Sequence, residues 1–386
     1  MRKIKYVFLT TVDISLKSFM LPIVSTFSKE KYDITLMSSM TDEFYDKYSK
    51  EYACVKLDLK RGFSFRKTLS CIFKLIKEFK KLRPDIIEYG TENVSFCAAI
   101  AGWFTRVPIR IYNHWGARYT GLSGLSKTLS IIIERIAALF STDIRQVSHK
   151  NREMCVKDHI YPAKKVKVLG LGGTVGVDCT KFDLSKKEQY CKEVRDYLNI
   201  PREAFVFGFI GRIQKDKGID ELLEAFKNIA KENIYLLLIG PLEYTEQLSN
   251  ELLDWANNNE NVIFSGKVSD VYRYISAFDV MVHPSYREGF GMVLQEAGAM
   301  KTPVITTDIL GPNEFITDGE NGLLVPAKRS VELTIAMKRL LNDDKLRLRL
   351  GEKIYKHTLK NFERSVMVDR IIEDRESLLR RKEILL

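Results

Sequence analysis

Short apolar runs rich in Val and Ile alternate with longer stretches of helical periodicity along most of the chain. In the first half the runs are KYVFLTTV (5–12), YDITLMSS (32–39), ACVKLDL (53–59), DIIEYG (85–90), VPIRIYN (107–113), TDIRQVS (142–148) and KVKVLGL (165–171). The second half adds FVFGFIG (205–211), IYLLLIG (234–240), NVIFSG (261–266), DVMVHPS (279–285), TPVITTD (302–308) and GLLVPA (322–327). Many close on Gly, Pro or Asp, and helix-like segments such as GIDELLEAFKNIAKEN (218–233) fill the gaps. This rhythm predicts repeated βα units and parallel, doubly wound sheets. A length of 386 residues suits two such domains. Region 176–204 is charged and has little apolar periodicity, so it is expected to be the interdomain linker. The expected domains are 1–185 and 201–361, and a helical tail over about 362–386 is expected to pack back on the first. Open α/β sheets bind ligands beyond the carboxyl ends of their strands, and two facing sheets would make an interdomain cleft.

Composition narrows the class. Hydrophobic residues are 45% and charged residues 29%, as in an ordinary globular protein. No window holds 18 uninterrupted apolar residues, so no transmembrane helix is expected. The opening Met1-Arg2-Lys3-Ile4-Lys5 runs into a strand-like stretch without a small-residue cleavage site, so no signal peptide is expected. The six cysteines are scattered, with no C-x-x-C pair, which argues against a disulfide framework or zinc site and for a cytoplasmic protein. The net charge of +11 is uneven: residues 1–180 hold 30 Lys+Arg against 17 Asp+Glu, and residues 181–386 hold 31 against 33. A basic half implies an anionic partner such as a membrane surface, a phosphorylated lipid or nucleic acid, unless it serves solubility alone. Within that half, 63–85 reads as a basic amphipathic helix. Phe73, Leu75, Ile76 and Phe79 share an apolar side, and Arg66, Lys67, Lys74, Lys77, Lys80 and Lys81 crowd the rest. Such a helix packs on a sheet or docks on an anionic bilayer. Aromatic residues are not interleaved with its basic run, so no nucleic acid is expected as partner.

The chemistry-bearing residues cluster at two strand ends of the second half. GFIGRIQKDKGIDELLEAF (208–226) places Gly211, Arg212 and Lys217 in the loop that opens a helix. Cations beside free helix N–H groups make an anion site, and a diphosphate suits it. HPSYREGFGMVLQEAGAM (283–300) places Glu288 in a loop and Glu296 in the second turn of the helix that begins near Met292. Gly289-Phe290-Gly291 between them permits close backbone approach to a ligand. Carboxylates are pure acceptors and suit vicinal hydroxyls. Hydroxyls at each end with a phosphate between describes a nucleotide sugar. A lone E-x7-E pair arises often by chance, but this one sits within an ordered set: G-R-x4-K-G, G-K-V-S-D (266–270), H-P-S-x2-E-G-F-G-x4-E, T-P-V-I-T-T-D and N-G-L-L-V.

On that set the chain resembles glycosyltransferase family 4, the retaining family of GT-B fold. The resemblance implies that Arg212 and Lys217 bind the diphosphate, Glu288 the donor-sugar hydroxyls and Glu296 the ribose. It further implies that the backbone of Gly289, Phe290, Gly291, Met292 and Val293 lies against sugar and phosphate, and that main chain near Val268 meets the base. The first half is similar more weakly. In VPIRIYNHWGARY (107–119), His114 takes the place of a cleft histidine that approaches the donor sugar, and with Arg212, Lys217 and Glu288 it completes the expected catalytic set. KVLGLGGTVGVDCTKF (167–182) resembles the family's strand end before its linker and does not make G-x-G-x-x-G. TTVDISLKSF (10–19) lacks the paired glycines of many members, leaving Thr11, Asp13 and Ser15 there, and Thr91-Glu92-Asn93 stands where related enzymes carry Thr-Pro-Lys.

The reading is a GT-B enzyme with two Rossmann-like domains that moves a sugar, with retention, from a nucleoside diphosphate expected to be UDP. The expected acceptor is a glycan or a polyprenyl-diphosphate-linked glycan in bacterial capsule, O-antigen or related polysaccharide assembly, at the inner membrane face. No cofactor and no metal are expected, because the chain has no Asp-x-Asp motif and its Arg, Lys and helix N-terminus answer the leaving charge. The rival classes are a nucleotide-sugar epimerase of the same fold and a non-catalytic membrane- or anion-binding protein.

Overall fold

The computed structural model describes residues 2–59, 65–243 and 248–384. The chain forms two compact units: Met1–Val175 with Ser365–Leu386, and Gly176–Arg364. Each is a parallel sheet flanked by helices.

The first unit holds seven strands: β1 (Ile4–Val12), β2 (Tyr32–Ser39), β3 (Ala53–Lys56), β4 (Ile86–Gly90), β5 (Ile109–His114), β6 (Asp143–Gln146) and β7 (Val166–Lys167). Their order is β3-β2-β1-β4-β5-β6-β7. The inner strands β1 and β4 are largely apolar because helices cover both faces of a parallel sheet, whereas β6 is Asp143-Ile144-Arg145-Gln146. In β4, Ile86, Ile87, Glu88 and Tyr89 are all buried. The basic helix predicted over 63–85 is described as Phe65–Leu82; residues 63 and 64 lie outside the described residues. Its buried face is Thr68, Cys71, Leu75 and Phe79. Phe73, expected on that face, is 64% exposed instead, and Phe65 and Leu69 line the same outer side at four-residue spacing.

The helix Arg364–Arg381 belongs to this first unit from Ser365 onward. Its buried face sets Met367, Val368, Ile371, Leu378 and Leu379 beside the charged Asp374 and Arg375. Arg375 forks onto Glu88 of β4, with Nη2 donating to Oε1 at 2.7 Å and Nε to Oε2 at 3.0 Å. Asp374 accepts from Arg145 Nε at 2.7 Å. All four side chains are buried. Glu88 is also met by Asn113 and Tyr6, so the pair is fully hydrogen-bonded, as buried charge requires.

The second unit holds six strands: β8 (Phe205–Ile210), β9 (Ile234–Ile239), β10 (Val262–Gly266), β11 (Val280–His283), β12 (Val304–Thr307) and β13 (Leu323–Val325). Their order is β10-β9-β8-β11-β12-β13. Sequence order runs outward one way from β8 and the other way from β11, so the pair marks the topological switch point. Their register is Val280↔Phe207 and Met281↔Gly208.

The linker expected over 176–204 is corrected here. Most of it is structure of the second unit, including a helix over Lys187–Tyr197. That helix buries Val194 and Arg195, and Arg195 donates to the carbonyls of Arg202, Ala204 and Ala277 and to Asp279. A face secured by a buried guanidinium leaves no hydrophobic periodicity to read. The domain change falls near Val175 and Gly176 rather than between 185 and 201.

Candidate active site

In the second unit the sequence-predicted Lys217 and Glu288 meet at the switch point, with Arg212 and Glu296 on the same two loop-and-helix segments. β8 ends at Ile210, and Gly211 and Arg212 lead into a short 3-10 turn, Lys215–Lys217. Gly218 then opens the helix Ile219–Lys227. Its φ is +70°, and a Cβ there would lie 2.1 Å from the Pro284 carbonyl oxygen, so only glycine fits. Pro284 directly follows β11, and the two loops are laced together further. Tyr286 N–H donates to Asp216 O at 2.9 Å, Arg287 pairs with Asp216 at 3.1 Å and Tyr286 OH donates to Glu221 at 2.6 Å.

Lys217 Nζ lies 2.5 Å from Glu288 Oε1, and His283 Nε2, at the end of β11, lies 3.0 Å from the same oxygen. Burial would raise the Glu288 pKa, but the Lys217 ammonium and the His283 bond outweigh it and hold the carboxyl well below its usual range. Glu288 is therefore a fixed acceptor rather than a proton donor. Gly291 (φ +85°) caps the helix Met292–Ala299, whose first N–H groups have no preceding turn to bond. One and a half turns on, Glu296 has no hydrogen bond or ion pair to its carboxylate among the described residues. Burial pushes its pKa up to about 7, against a weaker opposing pull from Arg364.

Arg212 is more loosely placed. Its Nη1 lies 3.0 Å from Glu243 Oε2, and its side chain is 43% exposed. One N–H is committed to Glu243, and the guanidinium has four more to offer an anion. Gly289 is half-buried, Phe290 is buried against Phe315 and Phe362, and Met292 and Val293 are half-buried. Val268 sits beyond the edge strand β10, in the loop after Gly266. The sequence argument did not single out His283. Its signal was present in the spacing H-x4-E, since a strand-end histidine five residues before the loop carboxylate can turn back onto it.

His114 is placed otherwise than expected. At the end of β5 it is 2% exposed inside the first unit, with Nε2 3.3 Å from the equally buried Glu134 and Nδ1 2.8 Å from Gln146 Nε2. Burial lowers its proton affinity, but Glu134 more than offsets this, and the pKa is pushed up to about 10. Set between Glu134 of the Gly124–Phe140 helix and Gln146 of β6, the ring is almost wholly enclosed. Thr11 and Asp13 are engaged too. Thr11 N–H donates to Thr91 Oγ1 at 2.9 Å, and Asp13 accepts from the Thr41 N–H and hydroxyl at 2.8 and 2.7 Å. Glu92 accepts from Ser130 at 2.5 Å and pairs with Arg118.

Comparison with known proteins adds independent findings. Residues 192–357 match the family model described as glycosyl transferases group 1, and residues 7–148 match glycosyl transferase 4-like. The capsular polysaccharide biosynthesis glycosyltransferase CapM of Staphylococcus aureus is 32% identical over 341 residues, 88% of each chain. An Escherichia coli enzyme described as UDP-Gal:alpha-D-GlcNAc-diphosphoundecaprenol alpha-1,3-galactosyltransferase is 24% identical over 330 residues, 83% of this chain and 82% of that one. Among solved structures, Anabaena HepE in complex with UDP and glucose superimposes with a TM-score of 0.82 at 18% identity, covering 97% of this chain and all of HepE. Two sheets of parallel strands, both halves matched in order and a relative matched over nearly its whole length establish that this chain belongs to the group 1, family 4-like glycosyltransferases and is an enzyme of GT-B fold.

Proposed function

We propose that the chain transfers a sugar from a UDP-linked donor, with retention, to a lipid-diphosphate-linked or growing glycan in the assembly of capsule or a related bacterial surface polysaccharide. The observation that carries this reading is the pair of unlike carboxylates at the switch point. Glu288 is locked ionised by Lys217 and His283, and Glu296, eight residues later across a helix N-terminus, has no partner among the described residues. Support for the donor comes from HepE, solved with UDP and glucose, and from the E. coli relative, whose name specifies UDP-Gal and a diphosphoundecaprenol acceptor. CapM supports the capsule setting.

In this mechanism the bond between the sugar anomeric carbon and the diphosphate oxygen breaks, and the diphosphate leaves with the electron pair. Arg212, the remaining N–H donors of Lys217 and the N–H groups at Met292 and Val293 meet the charge that develops. The acceptor oxygen attacks from the face the diphosphate vacates, and its proton passes to a departing phosphate oxygen. Glu288 orients the sugar through its hydroxyls. The residues answer the leaving charge without a metal, so chelation with EDTA is expected to leave turnover unchanged.

The bilayer is the proposed partner of the first unit, as a peripheral surface. Phe65, Leu69 and Phe73 project from a helix that also carries Lys67, Lys74, Lys77, Lys80 and Lys81, the arrangement of an interfacial helix. Product analysis with UDP-sugars, with and without a polyprenyl-diphosphate glycan, tests the function. Sugar transfer only when the acceptor is present supports it. Epimerised nucleotide sugar in the absence of acceptor would replace it with the epimerase reading. In the same assay, Arg212→Ala and Lys217→Ala should each lose about 2–4 kcal/mol of transition-state stabilisation.

A further inference from the structure

The second unit has a cavity of about 630 Å³ at the end of its sheet opposite the candidate active site. Arg202, Phe278, Asp279 and Pro303 reach it from just before β8, β11 and β12, whereas Lys217 and Glu288 follow β8 and β11. Its walls come from the Lys187–Tyr197 helix on one side and the Asp344–Phe362 helix on the other. The volume is in the range of small-molecule sites.

Charge in this cavity is unbalanced. Arg195 is paired with Asp279 at 2.9 Å, Lys301 with Glu352 at 2.5 Å and Arg347 with Asp344 at 2.7 Å. Lys187, Lys192 and Arg202 have no carboxylate within ion-pair distance among the described residues, and Glu188 is the other acid on the wall. With the outside partners Glu352 and Asp344 counted against Lys301 and Arg347, about two positive charges are left in excess. Lys187 is the most constrained of these cations. Its Nζ donates to the Met300 carbonyl at 2.7 Å and to Thr302 Oγ1 at 3.1 Å, both neutral, and burial pulls its pKa down to about 8. An ammonium desolvated beside neutral acceptors is stabilised by an incoming anion. The rest of the wall is apolar: Phe278 and Leu184 line it, and Leu348 stands 69% exposed at its edge.

We propose that this cavity binds an organophosphate, a dianionic phosphate group held by Lys187, Lys192 and Arg202 with an apolar body packed on Phe278, Leu184 and Leu348. Two excess positive charges match a phosphate monoester dianion, and the apolar wall distinguishes it from inorganic phosphate. The same chemistry is offered by a soluble phosphate ester and by a monoester lipid headgroup.

The test is calorimetric titration of the full chain with inorganic phosphate and with hexyl phosphate, both in the presence of saturating UDP. Hexyl phosphate should bind about tenfold or more tightly than inorganic phosphate, because its chain buries apolar surface. Affinity should fall about tenfold or more in the surface double variant Lys192→Gln/Arg202→Gln and in Lys187→Met, and should be unchanged in Arg212→Ala. The double variant keeps the proposal testable if Lys187→Met fails to fold. Cosedimentation with vesicles containing phosphatidic acid separates the two sources. With the comparison made in a Phe73→Ser background, which weakens binding through the Phe65–Leu82 helix, sedimentation lowered by the double variant assigns the headgroup, and sedimentation unchanged by it assigns the soluble ester. Absence of hexyl phosphate binding, equal affinity in the cavity variants, or loss of binding in Arg212→Ala would overturn the proposal.

Discussion

Glu288 shares one oxygen between the Lys217 ammonium and the His283 ring, while Glu296 meets no cation closely enough to pair with it. Their proton affinities diverge accordingly, one below the usual carboxylate range and one near 7. Only the ionised form of Glu296 accepts freely on both oxygens, so its hold on a pair of hydroxyls is pH-dependent. Below pH 7 it takes up a proton and loses that capacity. The advantage of the parent over Glu296→Gln in UDP affinity should be largest at pH 8 and should shrink towards none by pH 5.5. Comparing parent and variant cancels the titration of UDP itself. Stability runs the other way. A carboxyl raised from 4.5 to about 7 in the folded state binds its proton more tightly there than in the unfolded chain, so its contribution is lost as pH rises through that window. Glu296→Gln should therefore melt above the parent at pH 8 and level with it at pH 4.5. A UDP affinity ratio that does not change with pH would count against this account of Glu296.

Among the elements, the loops after β8 and β11 matter most, because they are built as one piece. Gly218 presses its α-carbon against the Pro284 carbonyl, and Asp216 anchors both Tyr286 and Arg287. Gly218→Ala adds a Cβ 2.1 Å from that carbonyl at a φ of +70°, so the loops must part. We expect a loss of at least about 1 kcal/mol in stability, read by thermal melting, and a larger proportional loss of turnover, since Lys217 is the preceding residue. Wild-type turnover in this variant would show that the lacing is not needed.

Each described strand falls within or beside its predicted segment, and the inner ones were the most legible because parallel strands buried on both faces read as apolar runs; β3, β6 and β7 carry less of that signal. The paired cations and carboxylates were legible because their spacing from the strand ends is fixed by short loops. Structure held by polar burial was not. Arg195 hides the Lys187–Tyr197 helix from any hydrophobic periodicity, and Glu134 turns His114 inward. The helical period of 65–82 cannot say which of two apolar stripes faces the sheet, and Phe73 went to the outer one.

At the scale of the whole molecule, the two units divide the work. The first carries the basic excess, and its last helix is returned to it by the buried Arg375–Glu88 and Arg145–Asp374 pairs. Its exposed Phe65, Leu69 and Phe73 sit among lysines, so binding to anionic vesicles should weaken with salt and should fall several-fold in Phe73→Ser without a change in melting temperature. Vesicle binding unaffected by Phe73→Ser would remove that helix from the interface. In the proposed reaction the second unit carries the donor chemistry. The central claim is that one nucleotide sugar spans Glu288 and Glu296, with its sugar at the first and its ribose at the second. Calorimetric titration of UDP against Glu288→Gln and Glu296→Gln, paired with steady-state rates, tests it most directly. UDP contains the ribose but not the sugar, so Glu296→Gln should weaken it by about 1.5–3 kcal/mol for each hydrogen bond lost. Glu288→Gln should leave UDP affinity nearly intact while turnover of the sugar donor falls. Equal loss of UDP affinity in both variants would contradict this division of the ligand.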